Sequence, residues 1–208
     1  CYGGLRPLVE DKTEETYTSS RKYEIYDNGR DGLNGLLTVE GGKWTTSRHL
    51  AENVVDRLKD KIDRPIRPSL SNRTYLAGSE IKDITAFMDQ VRTEYGDFPE
   101  GTRIYLAQIY GTAVDDVLAL ARKHPRLADP LNDAGDILAQ AVYAARHEMA
   151  LTLKDIVLRR TGIATLGNPG EAVLRKVAET VAGDLGWDED RINREVEATL
   201  VGLQVPVD

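Results

Sequence analysis

Cysteine is almost missing from this 208-residue chain; Cys1 is the single instance. One thiol cannot close an internal disulfide, which excludes a disulfide-stapled scaffold and fits a reducing cytoplasm. Histidine is nearly as scarce. His49, His124 and His147 do not fall at ligand spacing within one helix, and without a cysteine pair the sequence offers no metal site. No apolar run approaches the roughly 18–20 residues that span a bilayer, so no transmembrane segment is expected. The opening Cys-Tyr-Gly-Gly is not a basic and then apolar leader, so it does not read as a signal peptide. Positive charge is in deficit, with 27 Lys and Arg against 34 Asp and Glu and a net charge of −7. Phosphate backbones need a concentrated basic face, so no nucleic-acid partner is expected. Also absent is a Gly-x-Gly-x-x-Gly fingerprint, the pyrophosphate cradle of a dinucleotide site.

What is present reads as an ordinary soluble composition, 41% hydrophobic and 29% charged, long enough for one sizeable domain or one domain plus part of another. Glu10 to Ser20 is polar and acidic, as a loop would be. Arg21 to Tyr26 alternates and carries β-favouring aromatics. Asp27-Asn28-Gly29-Arg30-Asp31-Gly32 is dense turn chemistry, and Leu36 to Val39 reads as a second strand, so an antiparallel hairpin with a long loop is predicted. A helix from about Thr46 to Lys61 follows, with Leu50, Val54, Leu58 and Ile62 on one face and Thr45, Thr46 or Ser47 as its cap. Pro65 and Pro68 mark a linker and a domain boundary.

Beyond the linker every pattern is helical. The apolar spacings predict helices over Ile81 to Tyr95, Ile104 to Tyr110, Val114 to Ala121 and Asp136 to Met149. Thr152-Leu153-Lys154-Asp155 resembles a capping box that opens another helix, ending at Gly162. Asn168-Pro169 reads as a cap and first helical residue, and Asp188 as the cap of the last helix. The predicted fold is mainly α: a short N-terminal β-hairpin plus a helix, then an all-helical C-terminal domain.

One stretch organises the rest, Gly35 to Glu52: a short strand, the Gly41-Gly42 turn with Lys43, a Thr-Thr-Ser cap and a helix. A strand delivered onto a helix N-terminus presents unpaired N–H groups and the positive end of the macrodipole, which favours an anion. The glycines let a flat ligand approach the backbone. The same residues also suit a plain strand–turn–helix joint, with Lys43 merely snorkelling.

The run Gly41-Gly42-Lys43-x-Thr45-Thr46-x-Arg48-x-x-Ala51-Glu52 resembles the last flavin-binding segment of FAD-dependent glycerol-3-phosphate dehydrogenases and the related α-glycerophosphate oxidases. Gly4-Leu5-Arg6-Pro7-Leu8 upstream agrees with it. So do Tyr143-Ala144-Ala145-Arg146-His147-Glu148-Met149-Ala150 and Asp155-x-x-Leu158-Arg159-Arg160-Thr161 downstream. The resemblance implies a C-terminal piece of a longer enzyme, as the missing initiator Met also suggests. Residues 1–62 would be the remnant of an α/β FAD- and substrate-binding domain, 63–73 a linker and 74–208 the helical domain.

By the same resemblance Arg6 and Arg21 line a phosphate pocket, where a guanidinium fork suits the substrate, although each alone reads as a solvated surface arginine. Gly41, Gly42, Lys43, Trp44, Thr45 and Thr46 would contact FAD. Lys43 would also be catalytic, because hydride transfer from C2 of glycerol 3-phosphate leaves negative charge on the N1–C2=O side of the ring. Electrons would pass to a quinone, with the enzyme cytoplasmic and peripheral to the inner face of the membrane. A homo-oligomer is expected where cut strands leave unpaired edges, and residues 1–62 should be the less well packed part. Without the fingerprint the chain alone should neither hold FAD tightly nor turn over substrate. The charged downstream motifs and His147 read as structural pairs, and Tyr143 and Trp187 as packing. The alternatives are an oxidase using O2 and a stand-alone helical interaction module, with a helix–turn–helix ranking lower against the acidic run Asp188-Glu189-Asp190.

Overall fold

The computed structural model describes residues 23–204, which fall into two compact units dividing after Tyr75. In the first, β1 (Tyr23–Asp27) and β2 (Leu37–Gly41) pair antiparallel with Ile25 opposite Val39. Asp27 Oδ1 accepts from the amide of Gly29 at 2.9 Å, which starts the turn, and from Lys61 Nζ at 2.6 Å. Those bonds hold the Asp27 carboxyl below the usual carboxylate range, the Lys61 contact first. A single 3-10 turn (Trp44–Thr46) leads into α1 (Ser47–Leu58), and Arg57 Nη1 donates to the carbonyl of Ile25 at 2.8 Å. Among the described residues of this unit only Ile25 is a buried hydrophobic. The hairpin and helix are therefore held by polar ties more than by a core, in keeping with the sparse packing expected there.

The second unit is helical: α2 (Ile84–Glu94), α3 (Glu100–Tyr110), α4 (Val114–Lys123), α5 (Leu138–His147), α6 (Glu171–Leu185) and α7 (Glu189–Gly202). Its caps are legible chemistry. Asp83 accepts from the amides of Thr85 and Ala86 at 2.9 and 3.0 Å, and Asp188 from Arg191 at 2.7 Å, each satisfying orphan donors of a first turn. The predicted capping box is present: Thr152 accepts from the amide of Asp155, and Asp155 from that of Thr152 at 3.0 Å. It opens only one α-turn (Leu153–Asp155) before the chain widens into a π-helix over Ile156–Arg160. Two aliphatic cores result. One gathers Leu138, Ala141, Ala144, Leu153, Ile156, Leu174, Val177 and Val196; the other gathers Val91, Leu106, Val114, Val117, Leu118, Ile137 and Ala139.

Several boundaries differ from the sequence reading. Helix α3 begins at Glu100, four residues before its apolar spacing does, because Pro99 takes the N-cap position and polar residues fill the first turn. Helix α6 begins at Glu171: Asn168 Oδ1 accepts from the amide of Gly170 at 2.9 Å, so the asparagine closes a turn instead of capping the helix. The stretch Glu100–Lys123 passes the length and composition test for a membrane span, with mean hydropathy 1.2. In the fold it is α3 and α4 separated by a 3-10 turn at Gly111–Ala113, and its large apolar side chains Leu106, Val114, Val117 and Leu118 are fully buried in a core.

Helix α5 stops at His147, so Met149 leaves the apolar register assigned to it. It is 81% exposed and takes φ = 57°, a left-handed backbone that carries Ala150 inward, where its amide donates to the carbonyl of Ala144. A side chain there costs about 1 kcal/mol through its Cβ. Replacing Met149 by Gly is expected to raise stability in urea by about 0.5–1 kcal/mol. Met149→Ala, which keeps the Cβ, should give no gain; equal gains from both would remove backbone strain as the cause.

The downstream charged motifs are structural. Arg146 grips Asp184 with two bonds of 2.8 and 3.1 Å, Arg159 pairs with Asp155 at 2.7 Å, and His147 stacks on Tyr143 at 4.8 Å between ring centroids. A polar staple inside the second core had no counterpart in the sequence reading. Asp136, fully buried, accepts from Asn132 at 2.8 Å, Gln140 at 3.0 Å and Tyr105 at 3.1 Å. Burial and the Asp136 charge push the Tyr105 hydroxyl up to about 12.

Candidate functional site

The Gly41–Thr46 turn is built by three local choices. Gly41 and Gly42 adopt φ of 75° and 96°, which only glycine takes at low cost. At Gly42 it is the backbone angle and not space that asks for glycine: a Cβ would lie at ordinary contact distances, 3.4 Å from Leu50 Cδ2 and 3.7 Å from Tyr23 Cβ, with the turn packed between strand and helix. Lys43 is extended at φ −132°, ψ 149°, and its carbonyl receives the amide and the hydroxyl of Thr46, at 3.1 and 3.3 Å. Thr46 thus occupies the cap position of α1 but turns its hydroxyl backwards and makes no side-chain cap bond to the helix. Thr45 makes none either, and the capping role predicted for this pair is replaced by closure of the 3-10 turn.

This geometry leaves the amides of Trp44 and Thr45 without a backbone acceptor among the described residues. Lys43 is exposed, with no carboxylate at ion-pair distance among the described residues, and the Trp44 ring is 95% exposed. Two amides without a backbone acceptor among the described residues, an exposed cation and the start of α1 thus follow one another along a turn that has no Cβ at its two glycines. Such a turn suits a flat, anionic or carbonyl-edged ligand. Two grooves among the described residues lie away from this turn. One of about 620 Å³ between β1 and α1 is lined by Tyr23, Ile25, Asn53 and Arg57, and another of about 400 Å³ by Ile81, Phe87 and Tyr95; neither includes the turn.

Arg6 and Arg21 fall outside the described residues. The structure adds Arg48 and Glu52, which the motif contains but to which the sequence reading gave no role. Arg48 Nη2 donates to the carbonyls of Ser71 and of Thr74, the latter at 2.6 Å, and Glu52 accepts from Ser71 Oγ at 3.4 Å. The available signal was an arginine in a first helical turn, where the macrodipole disfavours a cation. No group of three or more metal-binding side chains occurs among the described residues.

A family model described as the C-terminal domain of alpha-glycerophosphate oxidase matches residues 38–192. The chain belongs to this family. Its relatives include the glycerol-3-phosphate dehydrogenase of Synechocystis, 32% identical over 199 residues, which are 94% of this chain and 36% of that protein. Glycerol-3-phosphate dehydrogenase 2 of Mycobacterium tuberculosis is 34% identical over 211 residues, covering 99% of this chain and 35% of the relative. The chain thus spans about a third of the length of these curated relatives. Among solved structures, the glycerol-3-phosphate dehydrogenase from Bacillus halodurans complexed with FAD superposes with a TM-score of 0.65 at 23% identity, over 89% of this chain and 39% of that one. That likeness speaks for the shared fold. The matched span takes in most of β2, the Gly41–Thr46 turn and α1, so the turn lies inside the part of the chain that the family model covers.

Proposed function

We propose that this chain supplies the turn against the pyrimidine edge of the flavin in an FAD-dependent glycerol-3-phosphate dehydrogenase, which oxidises sn-glycerol 3-phosphate to dihydroxyacetone phosphate and passes electrons to a quinone. The carrying observation is the bare turn itself. The glycines admit a ring, the amides of Trp44 and Thr45 have no backbone acceptor among the described residues, and Lys43 has no carboxylate partner among them. The residues present therefore fit this edge of the cofactor. FAD, when bound, supplies the acceptor for the hydride leaving C2 of the substrate. Lys43 holds its ammonium where negative charge develops, and the two amides and the helix N-terminus add to that field without reorganising. Arg6 and Arg21 bind the substrate phosphate in this proposal, and residues 1–62, 63–73 and 74–208 are its flavoprotein part, linker and helical domain. The enzyme would sit on the inner face of the cytoplasmic membrane. Quinone against O2 reduction by the intact enzyme separates a dehydrogenase from an oxidase.

Titrating the purified chain with FAD, followed by flavin fluorescence, tests the reading. The chain lacks a Gly-x-Gly-x-x-Gly cradle, so no tight binding and no turnover are expected from it alone. Binding should appear when the dinucleotide-binding part of a full-length relative is supplied in trans. Stoichiometric yellow FAD on the chain by itself would overturn the split-site reading. Absence of binding in both cases, with an intact helical spectrum, would favour a stand-alone helical interaction module.

A further inference from the structure

We propose that Arg48 is a positioning residue for the Lys43–Thr46 turn, clamping the 69–74 segment across the mouth of α1 so that the turn is held rigid and electropositive. The inference rests on the flavin reading of that turn and adds a residue to it. Arg48 lies in the first turn of α1, a place where a cation opposes the macrodipole. No carboxylate lies at ion-pair distance from it among the described residues. Its charge is held by oxygen dipoles instead: one guanidinium nitrogen, Nη2, donates to both the Ser71 and the Thr74 carbonyl. One helical turn on, Glu52 accepts from the Ser71 hydroxyl, so the segment is gripped at two points on the same helix face.

The gripped segment is itself a formed turn. Arg73 donates its amide to the Leu70 carbonyl at 2.9 Å, Thr74 its hydroxyl to the same carbonyl at 3.0 Å, and Ser71 its amide to Ser69 Oγ at 3.1 Å. This stretch, read from its prolines as a linker, is a brace. A planar guanidinium, whose N–H directions are fixed, holds two carbonyls in a set geometry better than an ammonium on a flexible stem does. Arg48 is the second residue of α1, and the Lys43–Thr46 turn runs directly into that helix: the Ser47 amide donates to the Trp44 carbonyl and the Thr46 amide to that of Lys43. Arg48 therefore acts on the turn through the helix start. It ties the first helical turn to a second segment, and it places a second positive charge, held by carbonyls, five residues after Lys43.

The test compares the wild type with Arg48→Gln and Arg48→Lys, in the chain by amide hydrogen exchange and in the FAD-loaded holoenzyme by flavin midpoint potential and rate of reduction by glycerol 3-phosphate. Arg48→Gln should speed exchange about tenfold at residues 44–47 as well as 70–75, while amides of α5 and α6 stay protected and report that the fold is intact. In the holoenzyme it should lower the midpoint potential and slow reduction about tenfold or more, with a smaller effect on KM. Arg48→Lys, keeping the charge but on a flexible stem without the fixed N–H directions, should recover the potential but not the exchange protection. Faster exchange confined to 70–75, or no change in potential with Gln, would reduce Arg48 to a local tie and overturn the proposal. A holoenzyme that takes up no FAD, or is not reduced by glycerol 3-phosphate, would sink the flavin reading instead. Exchange at 44–47 would still decide whether Arg48 braces the turn.

Discussion

Replacing Lys43 by alanine in the FAD-loaded enzyme should slow flavin reduction by glycerol 3-phosphate by about a hundredfold, the usual loss when one preorganised charge-stabilising group is removed. The effect should fall on kcat more than on KM, because in the proposed site Lys43 would face charge that appears as the hydride leaves and not in the ground state. Stability of the chain should hardly move, since Lys43 is exposed and its carbonyl, not its side chain, closes the 3-10 turn. Lys43→Arg should retain part of the rate. Stopped-flow absorbance of the flavin under saturating substrate reads the step directly. A wild-type reduction rate in Lys43→Ala would remove Lys43 from the chemistry, whatever its position.

The largest expected effect on folding lies at Gly111. Its backbone sits at φ 54°, ψ −131°, a region that only glycine occupies, and a Cβ there would lie 1.9 Å from the carbonyl oxygen of Gly78. The two segments touch because Thr112 donates its amide to that same oxygen at 3.0 Å. Neither neighbour is the end of a flexible side chain, so backbone must move. Gly111→Ala should cost about 3 kcal/mol or more and lower Tm by on the order of 10 °C. Gly96→Ala is the fitting control, because a Cβ there meets only the Thr93 carbonyl, at an ordinary 3.8 Å. Thermal melts by far-UV circular dichroism compare the two, and equal melting temperatures would contradict the close approach.

Local chemistry was the legible part of the sequence. The Asp27-Asn28-Gly29 turn, the Thr152–Asp155 capping box and the Asp188 cap each involve partners within a few residues, and each appears where the pattern put it. The hairpin was legible for the same reason, through alternation on either side of a dense turn. Apolar spacing located helices but not their ends: it missed the polar first turn of α3, and it carried α5 two residues too far, to an outward-facing Met149. The candidate site divides in the same way. Gly41, Gly42 and Lys43 stood out because a glycine pair, a lysine and a helix start are contiguous. Arg48 did not, because its partners at Ser71 and Thr74 are backbone carbonyls more than twenty residues away, and a carbonyl acceptor leaves no mark in side-chain chemistry. The Asp136 staple was hidden similarly, since Tyr105 and Asp136 stand 31 positions apart with no periodic signal that would join them.

Helix α5 has a role in the helical unit that neither core has alone. Leu138, Ala141 and Ala144 face one cluster, Ile137 and Ala139 belong to the other, and Leu127 packs against both. Opening either cluster would take packing from one side of α5 and so charge part of the remaining cluster's stability to the first one's loss. The two cores, joined through this helix and Leu127, are therefore expected to unfold as one cooperative block, with damage to one felt in the other.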